Sequence, residues 1–210
     1  MTRDDRDSLV DALLRHVPFD GWSARALRAA AGDAGVSPVA LQRLFRHGVD
    51  DALAYWQARS DARMLAQAET LDLAGMRVRE RIAALVRARI EVDAEHREAL
   101  RRALAHWAMP QNTAAGMRAL YATVDSIWRA AGDTATDWNF YTKRLLLAGV
   151  YASTLLYWLD DSSAGWTATW AFLGRRIDDV LKVPRTLGRV RACFPDVGRL
   201  VRRRRRRRAA

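Results

Sequence analysis

Carboxylates and histidines are the side chains here whose type would support catalysis, and their spacing decides whether they can. The chain of 210 residues holds four histidines, His16, His47, His96 and His106, each standing apart from the others. An oxygen-activating metal bundle needs paired Glu-x-x-His sets projecting inward from facing helices. No Glu-x-x-His occurs; Asp93-Ala94-Glu95-His96 supplies one acidic-x-x-His, with nothing similar elsewhere. Of Asp125, Asp133, Asp137, Asp160 and Asp161, several fall at predicted helix starts, where a carboxylate is stabilised by the positive end of the dipole. Capping accounts for them better than metal binding. Phosphate-cradling and dinucleotide-binding glycine loops and nucleophile elbows are all missing. The chain is therefore expected to have no catalytic residue, no metal, no cofactor and no turnover of its own.

Aromatic residues carry a different message. Six of the eight tryptophans lie between Trp107 and Phe172, together with Tyr121, Phe140, Tyr141, Tyr151 and Tyr157. Any one of these rings is an ordinary core residue. As a set beside the small residues Ala148, Gly149, Ala152, Ser153 and Thr154, they are expected to leave apolar space between helices.

The elements that must position these rings read as helices nearly throughout. Ala, Leu and Arg are abundant, β-branched alternation is scarce and Pro is rare, so an all-α chain of eight to ten helices is predicted. Breaks are expected at Pro18 to Gly21, Gly32 to Gly35, Gly48, Leu73 to Gly75, Pro110 to Asn112, Gly132-Asp133, Asp160 to Gly165, and Pro184. On the long helix from about Asp137, Leu145, Ala148, Ala152, Leu155 and Leu159 recur at three- and four-residue steps and are the predicted core face. Three parts follow: a helix-turn-helix-like module over 1–60, a pocket-forming and dimerising region over 61–184, and a basic amphipathic tail over 185–210.

The first module has two short helices around Gly35-Val36-Ser37-Pro38, with Ala26, Leu27, Ala30 and Ala31 before the turn and Leu41, Leu44 and Phe45 after it. Its second helix offers Val39, Gln42, Arg43 and Arg46 to solvent. Residues 1–60 nevertheless hold eight Arg and eight Asp, with no Lys or Glu, and a neutral module reads phosphate poorly. A retained scaffold is preferred over live DNA recognition.

Charge is concentrated at the other end. The formal net charge is +11, and from Arg185 onward eleven Arg face one acidic residue, Asp196, leaving the body nearly neutral. Leu187, Val190, Phe194, Val197 and Val201 follow helical steps, while Arg185, Arg189, Arg191 and Arg199 occupy other positions. A basic amphipathic segment of this kind suits an anionic membrane surface, with a nucleic-acid tail as the rival. Pro195 and Gly198 interrupt it, at about 3 and 1 kcal/mol in a helix interior. The longest uncharged apolar run, Leu145 to Leu159, has fifteen residues, short of the roughly twenty that span a bilayer. With a single cysteine, Cys193, and neither signal nor transit pattern in view, a cytoplasmic protein peripheral on the inner membrane is expected.

Gly21-Trp22-Ser23, Val124-Asp125 with Ile127-Trp128, Gly132-Asp133, Thr136 to Arg144, Tyr151 with Thr154-Leu155, Asp160-Asp161-Ser162 and Thr169-Trp170 with Phe172-Leu173 and Arg176 follow one another along the chain. Together they resemble the lipid-binding accessory protein family of ubiquinone (coenzyme Q) biosynthesis, over most of residues 9–182. The resemblance implies a TetR-like helical bundle, with a homodimer through the C-terminal helices, as that fold commonly forms. It implies an isoprenoid lipid or quinone intermediate in the pocket, lined by Trp107, Trp128, Leu147, Tyr151, Leu155, Trp158 and Trp170. It also implies a partner, the di-iron hydroxylase acting on demethoxyubiquinone, facing Asp137, Asn139, Phe140, Tyr141 and Arg144. The family usually reads Asp-Phe-Asn-Trp-Tyr where this chain reads Asp137-Trp138-Asn139-Phe140-Tyr141, so one indole N–H has moved within the patch. Membrane contact would fall to Leu187, Val190, Arg191, Phe194, Val197, Arg199 and Val201. The alternative is a TetR-type transcriptional repressor with a small-molecule pocket.

Overall fold

A computed structural model of the chain describes residues 3–132 and 138–193, with side chains over 4–132 and 141–180. Among the described residues there are nine α-helices, two 3-10 turns and no strand. The helices are α1 (Arg3–Asp20), α2 (Ala24–Asp33), α3 (Pro38–Leu44), α4 (Val49–Ala68), α5 (Val78–Glu91), α6 (Arg97–Ala108), α7 (Thr113–Ala130), α8 (Trp138–Asp160) and α9 (Thr167–Cys193).

Local chemistry sets most boundaries. The Ser23 hydroxyl accepts from Ala26 N at 3.2 Å to open α2, and Ser37 does the same for Ala40 N at 3.2 Å, with Pro38 in the first turn of α3. Gly35 and Gly48 both sit at φ 65°, where a side chain would be strained, and each ends the preceding helix region at the predicted place. Two boundaries differ from expectation. Helix α9 runs through Pro184 to Cys193, because one proline removes one hydrogen bond and need not end a helix. A break the sequence pattern did not signal separates α5 from α6, through a 3-10 turn at Ala94–His96.

In the N-terminal module α1 packs on α2 and on α6 of the body. Trp22 ties the module down: its indole N–H donates to the Ala99 carbonyl of α6 at 3.0 Å, and its ring stacks on Trp56 of α4 at 5.2 Å. Arg59 of α4, its side chain buried, reaches Asp7 and Asp11 of α1 at 3.2 and 2.7 Å. In the body α7 packs against α4, α5, α6 and α8, and α9 against α5 and α8.

The buried face of α8 agrees with the predicted one only in part. Leu155 and Leu159 are buried as expected, together with Leu147, Val150, Tyr151, Thr154 and Trp158, whereas Leu145 is 73% exposed and Ala148 and Ala152 are half-buried. This helix is apolar on every side from Leu145 to Leu159, so periodicity alone does not choose which stripe faces its neighbours.

Candidate functional site

Among the described residues, two apolar cavities open between the body helices. The larger, about 390 Å³, lies among α5, α7, α8 and α9, with Trp128, Leu147, Val150 and Ile177 on its wall and Arg79 and Lys143 at its polar edge. Trp128 is held there by its indole N–H on the Lys143 carbonyl at 3.2 Å and by the Lys143 ammonium 5.6 Å from its ring. The smaller, about 260 Å³, lies among α4, α6, α7 and α8, and includes Trp107, Leu155 and Tyr151. Gly116 of α7 lies directly under Trp107; a Cβ there would come within 2.7 Å of the tryptophan Cβ.

Of the residues expected to line one pocket, Trp128 and Leu147 therefore border the larger cavity and Trp107, Tyr151 and Leu155 the smaller. Trp158 and Trp170 border neither. Trp158 is fully buried, edge-on to Trp166 at 5.7 Å, with the Arg97 guanidinium 5.0 Å from its ring. Trp170 meets Trp166 at 6.5 Å and Arg87 at 4.8 Å. These rings brace the end of α8 instead. Arg97 donates to the Trp158 and Asp161 carbonyls and Arg101 to the Leu159 carbonyl at 2.5 Å, placing two cations at the negative end of that helix.

A polar floor lies beneath the smaller cavity, and sequence reasoning missed it. Arg89, with no exposure, donates to Asp61 at 2.7 Å, to Asp93 at 2.6 Å and to the Gln57 side-chain carbonyl at 2.7 Å. Ser60 donates to Asp93 at 2.7 Å and Thr123 to Asp61 at 2.8 Å. Gln57, Thr123 and Tyr151 are the members that border the cavity. Burial disfavours the Arg89 cation, but the Asp93 and Asp61 carboxylates and the hydrogen bond to Asp93 outweigh it and raise its pKa. Burial also pushes the Asp61 carboxyl up, offset in part by the charge and hydrogen bond of Arg89. Tyr151 is pushed up to about 12, mainly by burial, and stays protonated at neutral pH. The one available signal was an arginine set among Ile82, Leu85, Val86 and Ile90 on the inward stripe of α5.

At the expected partner patch, Arg144 does not face outward. It is 3% exposed and pairs with Asp125 of α7 through Nε at 2.8 Å, so it braces α8 on α7. Tyr141 is 70% exposed. Asn139 and Phe140 lie in the first turn of α8, but their side chains, and all of Asp137, fall outside the described residues. The expected membrane contacts divide likewise: Leu187, Val190 and Arg191 belong to α9 with side chains outside the described ones, and Phe194, Val197, Arg199 and Val201 lie wholly outside. Val39, Gln42 and Arg43 of α3 and Arg46 just beyond its end are exposed together. Among the described residues no group of three or more His, Cys, Asp or Glu is placed to hold a metal, and no helix is long and apolar enough to cross a membrane.

Residues 113–184 match the COQ9 family model. The chain is 30% identical over 191 residues to the rat protein named "Ubiquinone biosynthesis protein COQ9, mitochondrial" (Rattus norvegicus) and 28% identical over 191 residues to the human protein of that name (Homo sapiens). Each match covers 88% of this chain, with 61% of the rat and 60% of the human protein. The chain thus spans about three fifths of the length of the curated relatives it matches. In fold it is similar to a TetR transcriptional regulator from Nitrosomonas europaea ATCC 19718, with a TM-score of 0.67, 22% identity, and coverage of 84% of this chain and 97% of that one.

Proposed function

We propose, for a chain related to the COQ9 proteins of ubiquinone biosynthesis and built as a TetR-like helical bundle, that it is a non-catalytic lipid-binding protein. Its guest is an isoprenoid quinone precursor, which it presents at a membrane to the di-iron hydroxylase that acts on demethoxyubiquinone. The observation that carries this reading is the pair of apolar cavities, about 390 and 260 Å³, walled by aromatic and aliphatic side chains between the body helices.

The remaining roles follow from that one. The exposed stripe of α8 that includes Tyr141, Leu145 and Leu156 supports a homodimer or a protein partner, since apolar area of this kind is costly to leave in water. The eleven arginines from Arg185 onward support peripheral attachment to an anionic leaflet, each worth on the order of 1 kcal/mol near the surface. On this reading the protein is cytoplasmic and peripheral on the inner membrane. The curated relatives are named as mitochondrial.

The exposed face of α3 favours a second reading, a transcriptional repressor with a small-molecule pocket. Mass spectrometry of the organic extract of the purified protein separates the two. Co-purifying prenyl lipids or phospholipids are the expected result. An empty protein that binds a specific operator with salt-sensitive nanomolar affinity would overturn the carrier reading in favour of the repressor.

A further inference from the structure

We propose that the smaller cavity takes its guest head first: a neutral ring bearing hydrogen-bond-accepting oxygens enters to Gln57, and its apolar chain leaves past Met117 and Leu156. This rests on the lipid-binding reading above and adds the orientation and the head-group chemistry.

The Gln57 amide cannot turn over. Its Oε1 accepts from the buried Arg89 guanidinium at 2.7 Å, and the reversed rotamer would set an NH2 donor against that cation. The Nε2 donor is consequently fixed, and it is buried without a hydrogen-bond partner. Among the described residues four other buried polar atoms share that condition, on Trp56, Arg59, Arg97 and Trp158, and none of those residues borders either cavity. A buried donor left unpaired is costly, and an acceptor oxygen on a guest removes the cost.

Charge and shape narrow the guest. Behind the floor one cation, Arg89, faces two carboxylates, Asp61 and Asp93, so a phosphate or carboxylate head would meet excess negative charge where a neutral head meets none. A cavity of about 260 Å³ exceeds the roughly 150 Å³ that admits benzene, leaving room for a substituted six-membered ring but not for a long chain as well. The lining is graded in the same sense. Gln57, Thr123 and Tyr151 are 7%, 2% and 5% exposed at one end, and Met117 and Leu156 are 59% and 58% exposed at the other.

The test uses the full chain and three probes of equal chain length: a short prenylated benzoquinone, the prenyl hydrocarbon and the prenyl diphosphate. The quinone is expected to bind at least tenfold more tightly than either of the others, and Gln57→Leu is expected to abolish its advantage over the hydrocarbon. Independently of any variant, the assigned side-chain NH2 resonances of Gln57 should shift with the quinone and stay fixed with the hydrocarbon. Equal affinities for quinone and hydrocarbon, tighter binding of the diphosphate, or a Gln57 amide that does not move while the quinone binds would each overturn the head-first proposal with lipid binding intact. Failure of both the quinone and the hydrocarbon to bind would remove the lipid-binding reading and this inference with it.

Discussion

Without the Arg89 guanidinium, the buried carboxylates of Asp61 and Asp93 would lose the cation they share. Truncating one side of a buried charge set typically costs about 3–5 kcal/mol, because the opposite charges stay desolvated and unpaired. Arg89→Met is therefore expected to lower unfolding stability by about that amount in urea titration. A loss of less than about 1 kcal/mol would mean that the cluster is far better hydrated than its burial indicates. Asp161 tests the opposite sign of shift. Its carboxylate accepts from the Thr169 hydroxyl at 2.6 Å, from Thr169 N at 2.9 Å and from Ser163 N at 2.8 Å, and these bonds hold its pKa well below the usual carboxylate range. A group whose folded pKa is depressed contributes fully above its unfolded value, about 3.9, and loses that contribution as pH falls through the folded one. The melting temperature of the wild-type chain should accordingly fall more steeply below about pH 5 than that of Asp161→Asn. Parallel curves would assign the acid sensitivity to other groups.

Gly116 shows how one residue governs the approach of two helices. A methyl group there meets the Cβ and Cγ of Trp107 at 2.7 and 2.9 Å, atoms close to the α6 backbone that cannot swing aside. Overpacking of this kind costs about 1–3 kcal/mol, against about 1 kcal/mol gained from replacing glycine inside a helix. Gly116→Ala is expected to lower the melting temperature and to weaken binding in the smaller cavity together, as calorimetry and a lipid titration would read. How much was legible in the sequence divides along the same line between local and distant causes. The turn at Gly35 to Pro38 was readable because a left-handed glycine and a serine cap act within four residues. The inward face of α8 was readable only at Leu155 and Leu159, since that helix is apolar all round and its neighbours decide which stripe they cover. Arg144 was expected on the partner-facing patch, but Asp125, nineteen residues earlier, draws it inside. The floor of the smaller cavity joins α4, α5 and α7 across separations of 28 to 62 residues, and no short window of sequence contains it.

At the scale of the whole molecule the charge is lopsided: the segment from Arg185 carries a net +10 of the chain's +11. Co-sedimentation with anionic and neutral liposomes should show the full chain pelleting with the anionic ones only, and a chain ending at Pro184 remaining in the supernatant. Raising the salt from about 0.1 M to 1 M shortens the screening length from about 10 Å to 3 Å and should release the full chain. Equal pelleting by both chains would move the membrane contact onto the body.

Helix α6 belongs to both ends of this molecule. Leu100 and Leu104 border the smaller cavity, and the carbonyl of Ala99, immediately before them, holds the indole of Trp22. Swelling of the cavity that shifts α6 would pull on that indole and disturb its stack with Trp56. The Trp22 indole thereby becomes a strain gauge, its emission expected to rise or fall as a cavity that it does not border is filled.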